Sequence, residues 1–175
     1  IGRAWVEFLA GVNRIGAFPV VFSSFREEPS LQAEVAEGTI GSVRVVLVKP
    51  TTTMNSTDEC VARLKALGLS AEQLIVAHDE TSIAPGVHRV IAGRSSKAAG
   101  HRGVLAVERV MGASFGRVKI GVGPVVGAME DFFLKRHPQA ETITDSFLLL
   151  ALSFTSHNWV RLKLEVKEKV SVADA

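Results

Sequence analysis

Between Ser42 and Lys49 the chain reads Val43-Arg44-Val45-Val46-Leu47-Val48, a run with one polar side chain in it. A segment this short and this rich in β-branched residues is a strand. A strand apolar on both faces must be covered on both, which places it centrally in a sheet between two outer layers. The segment before it, residues 33 to 40, reads as a partner strand joined through Gly41-Ser42. A helix is expected from about Thr57, with Val61, Leu64 and Leu67 on its inner face and Gly68 stopping it. Ser70 is placed to cap a short turn before a strand over 74–78. A short β-like run Val87–Ile91, a helix from His101 or Gly103 to Met111, and a strand Arg117–Val122 complete the middle of the chain. Strands and helices alternating in this way predict an α/β protein, a three-layer α/β/α single domain with a mixed central sheet.

The flanks are read by the same rules. Trp5, Phe8 and Leu9 give an amphipathic helix over residues 3–10 ended by Gly11, followed by a loop containing Pro19 and an irregular region through Arg26-Glu27-Glu28-Pro29. A chain that opens on Ile1 directly in this pattern suggests processing, an expression boundary or residues upstream. After Pro124, helices are expected over about 126–135 and from Pro138 to about His157. From Trp159 to Val166 the period changes to strict alternation, so residues 1–158 are assigned to the domain and 159–175 to a C-terminal extension able to add to a sheet edge, its own or a partner's.

Composition narrows the function classes less than the pattern does. With 175 residues, 47% of them hydrophobic, the chain can fill a core, and a formal charge of +2 leaves any nucleic-acid surface to local clustering. Cys60 is the sole cysteine, excludes an internal disulfide framework, and falls at helical spacing from Leu64 as a small core residue. No apolar stretch approaches the roughly 20 residues of a membrane span, so no membrane partner is expected.

Chemistry concentrates where strands end. The strand 43–49 runs into Lys49-Pro50-Thr51-Thr52-Thr53-Met54-Asn55, and the strand 74–78 into His78-Asp79-Glu80; a loop of small and basic residues, Gly93 to Gly100, then delivers His101 at a helix start. An imidazole, a carboxylate to orient it and an amide for a carbonyl or phosphate oxygen are the parts of a water-activating hydrolase. Each has a plainer reading: Asp79 as a turn cap, His101 as a capping or RNA-contacting residue, Asn55 as the N-cap of the following helix. His78 reads as a satisfied core histidine, and His88, His137 and His157 as surface or packing residues. No His/Cys/carboxylate spacing matches a metal site, and nothing in the pattern calls for a cofactor.

Four of these segments resemble motifs of the bacterial-type peptidyl-tRNA hydrolases, in the same order: KPTTTMNST, LIVAHDETSIAPGV, AGHRGV and FGRVKIGVG. The resemblance implies a monomeric α/β fold that hydrolyses the ester between a peptide and the 3′ end of tRNA without a metal. It implies Asp79 as the aspartate orienting a general-base histidine, Asn55 as the first-strand asparagine with Met54 beside it in the substrate pocket, and His101 as the loop histidine. Lys49, Arg94, Lys97, Arg102, Arg117 and Lys119 become the candidates for RNA phosphate contact.

The departures from the family pattern shape the functional expectation. The family's His-Asn pair, which carries the general base, and the strand before it would lie ahead of Ile1. The asparagine that follows the loop histidine is Arg102, the compact glycine loop has become Gly93-Arg94-Ser95-Ser96-Lys97-Ala98-Ala99, Thr53 replaces an aromatic residue, Asp58 a glycine and Ser82 an acidic residue. From these the leading expectation is a catalytically inactive relative that binds structured RNA, tRNA or rRNA, within a larger particle. An organellar, first of all mitochondrial, ribosome or its assembly machinery is the setting, with protein partners held through residues 159–170. The alternatives are an active peptidyl-tRNA hydrolase with its catalytic histidine ahead of Ile1, an organellar intron-splicing factor, and a protein-binding scaffold.

Overall fold

The structure, a computed structural model, describes residues 1–91 and 100–125. It opens with helix α1 (Gly2–Gly11), followed by three short strands, β1 (Arg14–Ile15), β2 (Phe18–Phe22) and β3 (Arg26–Glu28). Two long strands, β4 (Ala33–Ile40) and β5 (Val43–Pro50), come next. A 3₁₀ turn at Met54–Ser56 leads into helix α2 (Thr57–Ala66), and a second at Ala71–Gln73 leads into β6 (Ile75–Glu80). Strand β7 (His88–Ile91), helix α3 (Arg102–Met111) and strand β8 (Gly116–Gly121) follow.

The β4–β5 hairpin pairs antiparallel from Ala33↔Pro50 to Ile40↔Val43, and its connection turns at Gly41 with φ of +61°, a conformation that favours glycine. On the other side of β4, β2 and β3 pair with its two halves, also antiparallel. A second sheet has the order β6-β8-β7, with β6 and β8 parallel and β7 antiparallel to β8. Helix α1 covers one face of both sheets: Trp5 and Leu9 meet Val20, Ala36, Ile40 and Leu47 from the first and Val118, Ile120 and Val122 beside the second. On the opposite face, Cys60 of α2 packs with Leu31, Ala33 and Val35, while Val61 joins Val104 and Val107 of α3 and Phe115. The α/β class and the helices on both faces are those expected from sequence.

The strands depart from expectation in three places, the first being the segment around Pro19, expected to be a loop, which forms β1 and β2. The region around Arg26-Glu27-Glu28, expected to be irregular, is strand β3; its exposed Arg26 bonds Glu28 and Glu37, so the strand forms without an apolar face. Strand β5, expected to be central, pairs among the described residues only with β4. Residues of β5 and β6, together with α1, α2 and α3, line a half-open cavity of about 830 Å³. Of the apolar run only Leu47 is buried; Val45 packs partly against the α1 cluster and Val48 partly against the Cys60 cluster, while Val46 is 41% exposed. Leu67, assigned to the inner face of α2, is instead 45% exposed, since it follows the last helical residue, where the chain turns away through Gly68. The helices and alternating strand expected beyond residue 125, and the boundary at 158, lie outside the described residues.

Candidate active site

Strand β6 and the start of α3 place the central pair. Asp79 stands at the carboxyl end of a strand parallel to β8, the end at which open α/β sheets present their ligands. His101 is the N-cap of α3: its Nδ1 accepts a hydrogen bond from the Val104 backbone N–H at 3.2 Å. Its Nε2 lies 3.3 Å from Asp79 Oδ1. Because Nδ1 is occupied as an acceptor, the ring proton sits on Nε2 and is donated to Asp79. The Asp79 carboxyl loses solvation by partial burial, yet the His101 hydrogen bond and the neighbouring imidazoles outweigh this and hold it below the usual carboxylate range. Asp79 is therefore an anion at neutral pH, fixed on an imidazole N–H.

A second imidazole packs against the first. His78 is 6% exposed, with its ring centroid 4.8 Å from that of His101 and the planes 63° apart. Its Nδ1 is 2.6 Å from the Asp79 backbone oxygen, while Nε2 is buried with no hydrogen-bond partner among the described residues. Burial, reinforced by His101, pushes its pKa down to about 4, so His78 is neutral beside the pair. The expectation of a satisfied core histidine holds for one ring nitrogen and not for the other. Behind Asp79, Glu80 accepts from Lys119 Nζ at 2.9 Å and from Ser82 Oγ at 2.9 Å. Burial raises the Glu80 pKa, but these bonds dominate and bring it to about 2.

The third contribution comes from the end of β5. The 3₁₀ turn carries Met54, 52% exposed, to the first turn of α3, and Thr57 Oγ1 donates to the Met54 carbonyl at 3.0 Å. Met54, Asp79, His101, His78 and Gly103 line one end of the cavity. Asn55 occupies the same turn with its amide exposed; Ser56, not Asn55, is the N-cap of α2. The structure thus brings Met54, Asp79 and His101 together and holds Asn55 at the margin. Among the described residues no group of three His, Cys, Asp or Glu side chains is arranged to hold a metal ion. Cys60 is buried, and burial raises its thiol pKa.

The basic residues divide differently from the sequence reading. Arg102 is exposed at the start of α3. Lys49 is 5% exposed: it bonds Glu7 Oε1 at 2.9 Å, approaches Glu34 Oε2 at 3.3 Å, and lies over the Phe25 ring. Arg117, 2% exposed, is ion-paired with Glu108 and stacks over Phe115, and Lys119 belongs to Glu80. These three corrections share one cause: each cation is engaged by a carboxylate on a covered sheet face and is not presented to a phosphate. Arg94 and Lys97 lie outside the described residues.

A family model described as peptidyl-tRNA hydrolase matches residues 11–170. The chain belongs to the peptidyl-tRNA hydrolase family. It is 38% identical over 131 residues to the peptidyl-tRNA hydrolase of Paracoccus denitrificans (strain Pd 1222), an alignment covering 70% of this chain and 54% of that protein. It is 38% identical over 124 residues to that of Rhodospirillum rubrum, covering 70% and 46%. The chain therefore spans about half the length of the curated relatives it matches. Among solved structures, a point mutant of peptidyl-tRNA hydrolase from Acinetobacter baumannii superposes with a TM-score of 0.70 over 91% of this chain and 82% of that one, at 24% identity, a likeness of fold.

The comparisons correct the leading functional expectation. Relatives at 35–39% identity carry the name peptidyl-tRNA hydrolase, which supports an active hydrolase and not an RNA-binding remnant that has discarded its chemistry. The organellar-ribosome role built on that remnant goes with it. Arg102, one of the substitutions behind the inactive expectation, is an exposed neighbour of the Asp79–His101 pair and leaves that pair intact.

Proposed function

We propose that the protein is a peptidyl-tRNA hydrolase, cleaving the ester between a peptide and the 3′ end of tRNA by addition of water. The observation that carries this reading is the Asp79–His101 pair, an ionised carboxylate 3.3 Å from an imidazole N–H at the mouth of a cavity, in a chain of this family. Asp79 is charged before substrate arrives, so it can orient an imidazole and stabilise the imidazolium that forms when water is deprotonated. In the family pattern the base is the histidine of the His-Asn pair, and Asp79 is the residue that orients it. His101 has both ring nitrogens engaged, its one N–H with Asp79 and its acceptor nitrogen with the α3 backbone, so its part is to fix Asp79. The exposed Asn55 amide is the donor suited to the ester carbonyl as it gains negative charge. Met54 forms the apolar wall beside it, and Arg102, exposed at the start of α3, is placed to meet a tRNA phosphate.

The reaction consumes one water and yields free tRNA and a peptide carboxylate. Incubating the full-length protein with N-acetylaminoacyl-tRNA, a minimal peptidyl-tRNA, should release N-acetyl amino acid with multiple turnovers in the presence of a chelator. Stoichiometric binding of tRNA without release would contradict the proposal.

A further inference from the structure

We infer that Gly103 is a positioning residue of this site, whose missing side chain is what lets Met54 reach the edge of His101; the inference rests on the hydrolase reading. Gly103 is the second residue of α3 and is buried. It is not among the residues with positive φ, so its backbone does not require glycine. Glycine is a poorer helix former than alanine, so a buried helical glycine of ordinary φ points to a need for space. That need is visible. A Cβ built on Gly103 would lie 2.8 Å from Met54 Cγ, 3.2 Å from His101 Cε1 and 3.5 Å from His101 Nδ1. The thioether chain and the imidazole ring converge on the one volume that a methyl group would fill.

The two neighbours respond differently to such a methyl. His101 is held at both ring nitrogens, by Val104 N–H and by Asp79, and cannot retreat without breaking a bond that defines the site. Met54 is 52% exposed, on a short 3₁₀ turn, and its unbranched chain can swing to solvent. An alanine at 103 therefore displaces Met54 first. The helix is retained or strengthened, while the cavity loses the apolar wall beside Asp79 and His101. This assigns Gly103 a role in shaping the substrate pocket that acts through Met54 and not through the fold.

A double-mutant cycle on the full-length protein tests the assignment. Gly103→Ala is expected to lower kcat/KM for N-acetylaminoacyl-tRNA about tenfold, mainly through KM, with Tm unchanged or raised. In a Met54→Ala background the same substitution should change kcat/KM less than twofold, because the displaced side chain is already gone. Additive losses, or a Gly103→Ala enzyme with wild-type KM, would overturn the inference. If the wild type shows no turnover, the hydrolase reading fails separately, and the contact is read directly from the Met54 methyl resonance. That resonance should shift on Gly103→Ala, and an unmoved signal overturns the contact itself.

Discussion

Asp79 and Glu80 are adjacent carboxylates on one strand given different tasks by what they touch. Asp79 meets an imidazole at the cavity, whereas Glu80 turns to the other face and is locked by Lys119 and Ser82. The Glu80 lock has a pH signature. Its folded pKa of about 2 lies below the ordinary 4.5, so its stabilisation is complete above pH 4.5 and is lost as pH falls toward 2. Glu80→Gln should cost about 3 kcal/mol at pH 7, because it strands a buried ammonium, and the deficit relative to wild type should shrink through that window. Urea denaturation of both proteins at pH 7, 4 and 2.5 measures it; a deficit constant with pH would refute the pairing. The cations make a second contrast. Arg102→Ala should reduce the slope of log K against log salt for tRNA binding by just under one, while Lys49→Met should lower Tm and leave the slope alone. Equal slopes for Arg102→Ala and wild type would remove Arg102 from the interface. The sequence shows these charges but not their partners: Lys49 finds Glu7 42 residues away, Lys119 finds Glu80 39 away, and a cation read without its partner looks free.

At the scale of elements, local periodicity carried most of what was legible. Strands 33–40 and 43–50, helix 57–66 and helix 102–111 lie close to where apolar spacing and caps put them, because each has a face that must be buried. Strands β1 to β3 leave no periodic signal because they are short, include Pro19 and the charged Arg26-Glu27-Glu28, and owe their existence to pairing with one another or with β4. The 3₁₀ turn that brings Met54 to Gly103 has no periodic signal at all. Helix α1 is the element that both sheets share: Leu9 is 2% exposed among Ile40, Leu47 and Val118. Leu9→Ala should therefore cost about 3 kcal/mol and be felt by both sheets in a single cooperative transition. Hydrogen exchange that loosened β4 and left β6 unchanged would show that α1 does not couple them.

For the whole molecule, the strand ends and one helix start meet at a single corner. Motif order in the sequence pointed to Asp79, His101 and Met54, and the fold brings them there from segments up to 47 residues apart. The sequence shows Arg102 where the family pattern has an asparagine but not where its side chain stands, which is exposed beside the Asp79–His101 pair. The central claim is that the carboxylate on this corner works on an ester. The direct measurement is the single-turnover rate constant for release of N-acetyl amino acid from N-acetylaminoacyl-tRNA, wild type against Asp79→Asn, in the full-length protein. The account predicts a fall of about 10²- to 10⁴-fold in the variant with tRNA affinity retained. Equal rates in the two proteins, or no release by either, would contradict it.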